Sequence, residues 1–201
     1  MLNRIKVHIV FAALIISLTA SFSQSYSQSD DSEYAVTAYI NAGYSRFISE
    51  LDYEDLNKNG FSGTIRLMWE PEHLLSLGIE SGYLQLYDIS TQITYQDTIT
   101  FNGSSELTAV PIIAVYSMEL FENFKISVGS GIFLLTSKVD ALGNPVNSEQ
   151  VSTGVLGAAS YYYPLSHTIS LGGEIKYYLI NKIEDGDLTL QFSLQYRFLT
   201  Y

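Results

Sequence analysis

Side chains able to do acid–base or nucleophilic chemistry are few in this 201-residue chain, which has three histidines and no cysteine. The lack of cysteine removes thiolate nucleophiles, thiolate metal sites and any disulfide framework. His8 lies in the apolar start of the chain, which leaves His73 and His167. Both fall in short, Pro-containing connections, at 71–73 and 164–167, while the serines gather in the long connections. A general base must lie within hydrogen-bond reach of the group it activates, so the chain is expected not to be an enzyme and to need no cofactor. A carboxylate-only site among Asp52, Glu54 and Asp55 is the one catalytic alternative. Asp55-Leu56-Asn57-Lys58-Asn59-Gly60 matches the opening of a calcium loop, yet the closing position that should hold a bidentate Glu is Arg66. A turn rich in Asn, Asp and Gly gives the same string, so no metal is expected. With 21 acidic against 10 basic side chains, nucleic acid is excluded as a partner, because phosphate contacts need clustered Lys and Arg.

A second set of charges stands out by its position in alternating segments: Arg66, Glu80, Glu174, Lys176 and Arg197 all share the polar phase. If that phase faces the inside of a barrel, these charges must pair, since an unpaired buried charge costs several kcal/mol or more. Counting back from a turn at Glu72–His73 sets Arg66 near Glu80. A turn centred at Asp185–Gly186 sets Glu174 opposite Arg197, with Lys176 beside them. The expected result is an internal salt-bridge plug; an ion or proton path is the alternative.

The elements that must hold these charges follow from periodicity. Residues 1–23 read as a secretory signal peptide: Arg4 and Lys6, an apolar run over 9–16, then small residues with Ser21 and Ser23 before the cut. Its removal would take the net charge two units below −11. Residues 24–33, rich in Ser, Gln and Asp, read as a flexible periplasmic leader. Residues 34–201 then alternate with period two. Leu188, Leu190, Phe192, Leu194, Tyr196 and Phe198 oppose Thr189, Gln191, Ser193, Gln195 and Arg197 without an exception. Eight such segments are expected, of which 107–118 shows no clean phase and holds Pro111, a residue that should mark a bulge or a strand end. Tight turns at 71–73, 121–123 and 164–167 alternate with long polar connections at 49–60, 89–104 and 140–150, the last connection, 181–187, being intermediate. An up-and-down meander would collect the tight turns at one end and the long loops at the other.

A soluble eight-stranded barrel shares this pattern, but its polar face should carry many Lys and Glu. Only 15% of this chain is charged, and its polar phase is mostly Ser, Thr, Gly and Gln. Trp69, Tyr83, Tyr87, Phe124, Tyr161, Tyr163, Tyr177 and Phe198 lie near the ends of the apolar phase, as interface girdles do. The stretches Gly60-Phe-Ser-Gly-Thr-Ile-Arg-Leu-Met-Trp-Glu-Pro and Leu74-Leu-Ser-Leu-Gly-Ile-Glu-Ser-Gly-Tyr, with the Tyr196-Arg197-Phe198 ending, resemble the small outer-membrane β-barrel domain proteins of Gram-negative bacteria, similar in architecture to the OmpX and OmpA transmembrane barrels. The resemblance covers roughly 34–201. It implies an all-β, eight-stranded antiparallel up-and-down transmembrane barrel in the cell outer membrane, surrounded by its lipid and inserted by the barrel-assembly machinery. Either Phe198 or Tyr201 would serve as the terminal assembly aromatic.

The resemblance implies no single activity. The expected role is non-enzymatic, structural or adhesive, through long extracellular loops. A narrow channel or transport accessory is the alternative, and a surface lipid-active enzyme the second. Ile93, Tyr95, Ile99 and Phe101 keep period two through an otherwise polar connection, which reads as a hairpin rising above the membrane. Such an edge could take up a strand from an extracellular protein partner, or merely cap the barrel mouth.

Overall fold

Strict alternation gives each strand one face for lipid and one for the lumen, and closing the sheet removes its edges. The computed structural model describes residues 34–49, 56–71, 75–95, 99–141, 144–183 and 185–200; the expected signal peptide and leader lie outside the described residues. The strands are β1 (Ala35–Ile48), β2 (Leu56–Asn57), β3 (Asn59–Glu70), β4 (Leu75–Tyr95), β5 (Ile99–Phe121), β6 (Phe124–Ala141), β7 (Asn144–Pro164), β8 (Ile169–Ile180) and β9 (Asp185–Thr200). The two-residue β2 prolongs the line of β3 beyond Lys58 and pairs with β4, so eight strands make the wall. All neighbours are antiparallel, and pairing of β1 with β9 and of β4 with β5 closes the barrel. Two lumen-facing glycines mark close strand approaches: a Cβ at Gly43 or Gly131 would collide with the main-chain oxygen of Leu190 or Ile112.

At the tight-turn end, Glu122 and Asn123 join β5 to β6, with Asn123 at φ 68°. The other end is uneven. β8 and β9 stop pairing at Ile180↔Asp185, and β1 and β3 at Arg46↔Asn59. β4 and β5 stay paired to Tyr95↔Ile99, and β6 and β7 to Ala141↔Asn144. A four-stranded sheet, β4 to β7, therefore stands above the opposite rim. The loop expected at 140–150 is mostly strand. Val146 to Gln150 are exposed in unbroken succession, on both faces of the strand, so no apolar alternation betrays it there.

The outer face is apolar on every strand, with Ile40, Ile65, Ile79, Ile112, Val155, Ile175 and Leu190 among its exposed side chains. The inner face changes around the circumference. Thr37, Asn41, Ser45, Ser62, Thr64, Thr189, Gln191 and Ser193 are buried from β1, β3 and β9. Ala109, Ile113, Val115, Phe133, Leu135, Leu156 and Ala158 form the apolar core from β5, β6 and β7. This explains why 107–118 shows no phase: both of its faces are apolar, one against lipid and one against the core. Pro111 causes neither a bulge nor a strand end. It is buried in a gap of the β4–β5 ladder, between Ser81↔Ile112 and Leu84↔Ala109, with no change of register. The bulge in that ladder falls instead between Gln85 and Tyr87.

Candidate functional site

β3, β4 and β8 bring four of the five expected interior charges together. Arg66 and Glu80 are Cα partners, as the short connection between their strands requires. Arg66 Nε donates to Glu80 Oε2 at 2.7 Å, and its Nη2 lies 2.8 Å from Glu174 Oε1. Lys176 Nζ lies 2.8 Å from Glu80 Oε2 and 3.3 Å from Glu174 Oε2. Two cations thus alternate with two carboxylates, all four buried. Thr64 Oγ1 accepts from Lys176 at 2.8 Å, and Tyr178 Oη donates to Glu80 Oε1 at 2.7 Å. The contacts of Glu174 are ion pairs without hydrogen-bond geometry, for neither of its oxygens accepts a hydrogen bond. The arrangement cross-braces the lumen and fills it.

Arg197 does not belong to this group. Glu174 pairs with Gln191, not Arg197, because the β8–β9 turn is centred three residues earlier than the Asp185–Gly186 pair suggests. Arg197 lies near the tight-turn end, its side chain 39% exposed, with its Nη2 3.9 Å from Glu70 Oε2. There a second cluster closes the mouth. Glu70 accepts from Thr37 Oγ1 at 2.8 Å, Tyr39 Oη at 2.6 Å and Lys125 Nζ at 2.8 Å. Lys125 reaches across from β6 and also stands over the Tyr39 ring, 5.7 Å from its centroid. Sequence reasoning missed this cluster, although Glu70 and Lys125 both share the polar phase; no turn links β3 to β6 directly, so no count could pair them.

Of the expected girdle aromatics, Trp69, Tyr83, Tyr161, Tyr163, Tyr177 and Phe198 are exposed on the outer face, and Phe124, half-buried, packs its ring near that of Phe121. Tyr87 does not belong with them. The bulge at Leu86 reverses the phase of β4, so Tyr87 turns inward against the core and its ring lies 5.7 Å from that of Phe47. Tyr44 and Phe61, paired across β1 and β3 and both exposed, hold comparable places toward the long-loop end.

The backbone of the β4–β5 hairpin pairs Ile93 with Phe101 and Tyr95 with Ile99, as the period-two spacing requires. The calcium-like string is largely strand. Asn57 Nδ2 donates to Asp88 Oδ1 at 2.8 Å, and Tyr44 Oη donates to Asn59 Oδ1, so both asparagines are engaged by protein groups. Asp52, Glu54, Asp55, His73 and Tyr201 lie outside the described residues; His167 is exposed in its tight turn.

A family model described as outer membrane protein beta-barrel domain matches residues 11–198 of the chain. Among solved structures, a major outer membrane protein from Thermus thermophilus is similar at a TM-score of 0.52 and 12% identity, over 82% of this chain and 99% of that one. The attachment invasion locus protein Ail of Yersinia pestis, solved with the heparin analogue sucrose octasulfate, is similar at 0.51 and 14% identity, again over 82% and 99%. Neisserial surface protein A is similar at 0.48 and 17% identity, over 81% and 97%. At such identities the likeness concerns the fold. No curated protein matches the sequence.

Proposed function

The chain belongs to the outer membrane protein β-barrel domain family, and on that premise we propose that it is a non-enzymatic binding protein of the cell surface. In this reading the long-loop end faces outward and the β4–β7 sheet recruits an extended segment of an extracellular protein. Outer-membrane lipid surrounds the apolar belt, and the barrel-assembly machinery inserts the chain.

One observation carries the reading: the outer edge of β7. Below Gly154, β7 is paired on both sides; over 144–151 it has β6 on one side and, among the described residues, no strand on the other. Thr153 O accepts from Asn181 N, which fixes the alternation. Val151, Glu149 and Asn147, each two residues further along, therefore direct their N–H and C=O away from β6. Val146 to Gln150 are exposed, and Pro145, which has no N–H, limits pairing near the tip. The same sheet includes the hairpin of Ile93, Tyr95, Ile99 and Phe101, the other proposed contact surface. The net acidity of the chain favours a basic segment over an anionic polysaccharide.

A steady channel is disfavoured by the two plugs of side chains, and planar bilayers should show no lasting conductance. Tags inserted at 142–143 should be reachable by antibody on intact cells, and a tag at His167 should not. Whole-cell cross-linking and pull-down tests the edge itself. Glu149→Pro removes an N–H that β6 does not use and should abolish capture, as should deletion of 92–101, while boiled and unboiled samples still migrate differently. Full capture by both variants would overturn the reading.

A further inference from the structure

Among the described residues, Glu80 and Glu174 meet Arg66 and Lys176 inside the lumen, and Glu70 meets two cations, Lys125 and the partly exposed Arg197. Asp187, on β9 toward the long-loop end, is fully buried and meets no cation among the described residues. The nearest inward cation by register is Lys176, the Cα partner of Thr189, but its ammonium is held by Thr64, Glu80 and Glu174. An ionised carboxylate so placed is strongly disfavoured unless something neutralises it.

The oxygens around it are also short of protons. Ser45 Oγ lies 2.7 and 2.8 Å from the two Asp187 oxygens and 3.3 Å from the main-chain oxygen of Gln85. A hydroxyl has one proton to give, so two of these three contacts bring oxygens together with none between them. Thr189, two residues along the same inward face and the Cα partner of Ser45, is fully buried, and its Oγ1 has no hydrogen-bond partner. A carboxylate, two hydroxyls and a carbonyl form an all-oxygen donor set, the kind that hard cations prefer. A single carboxylate balances a single positive charge.

We propose that Asp187, Ser45, Thr189 and the Gln85 carbonyl bind one monovalent cation of about the size of sodium. The site is distinct from the partner-binding sheet and independent of it.

The test uses the chain refolded in detergent at fixed pH and fixed ionic strength, in sodium chloride or choline chloride. Sodium-23 NMR relaxation should show saturable binding to the wild type, lost in Asp187→Asn and weakened several-fold in Thr189→Val. The thermal midpoint of the wild type should be higher in sodium than in choline, and this difference should vanish in Asp187→Asn. Because the Thr189 hydroxyl has no hydrogen bond to lose, a sodium-specific defect in Thr189→Val marks a ligand and not a packing role, and it serves even if Asp187→Asn fails to fold. Equal wild-type midpoints in both salts without saturable binding would overturn the proposal and leave a proton as the neutralising species.

Discussion

The two halves of the barrel bury different mixtures. β5, β6 and β7 close mainly on apolar side chains such as Ile113, Val115, Phe133, Leu135 and Leu156, whereas β1, β3, β8 and β9 close mainly on hydroxyls, amides and paired charges, with Phe47, Met68 and Tyr178 among them. The same division separates the tall side of the rim from the low side, with β4 at the boundary: it lends Leu84 and Leu86 to one half and Glu80 to the other. A lumen of this width must be filled, and the difference shows that either kind of filling suffices. The apolar half relies on shape, the polar half on charge pairing and hydrogen bonds.

Substitutions can break this contrast in order of expected size. Arg66→Met leaves two carboxylates against one ammonium and should cost about 3–5 kcal/mol. Adding Glu174→Gln restores neutrality and should recover part of that loss, so urea unfolding in detergent should reveal strong coupling between the two positions. If the two effects merely add, charge balance is not what holds this half. Leu156→Ala on the apolar half should cost about 2–5 kcal/mol through the cavity it opens. Lipid-facing Ile175→Ala, whose gap acyl chains can fill, should cost clearly less; equal costs would mean that the lumen relaxes around the gap. Smallest is Arg197→Met, a partly exposed partner whose Nη2 lies 3.9 Å from Glu70, at about 0–1 kcal/mol. It should show no coupling to Glu174→Gln, and strong coupling would contradict the observed register.

The failures of sequence reasoning are local and physical. Period two locates the wall strands apart from β5, whose two faces are both apolar, and the Arg66–Glu80 pair follows from a connection too short to mislead. Glu174 is matched to the wrong partner because Asp185-Gly186 looks like a turn, although Asp185 already pairs with Ile180. Gly186 serves a different need, since a Cβ there would run into the Tyr177 ring. A three-residue error in the turn centre becomes six at the partner, moving Gln191 to Arg197. The Asp187 cluster is unreadable for another reason: Ser45, Gln85 and Thr189 come from three strands, and only the closed barrel brings them together.

The bulge at Leu86 has a consequence for how deep the molecule floats. Below it, β4 shows lipid Ile79 and Tyr83; above it, Tyr87 faces the core, and the reversed phase assigns Asp88 and Ser90 to the outer column. Without the extra residue, Tyr87 and Ile89 would continue the greasy column upward and draw the tall side down into the headgroups. One inserted residue therefore acts as a waterline, setting how much of the sheet stands clear of the lipid.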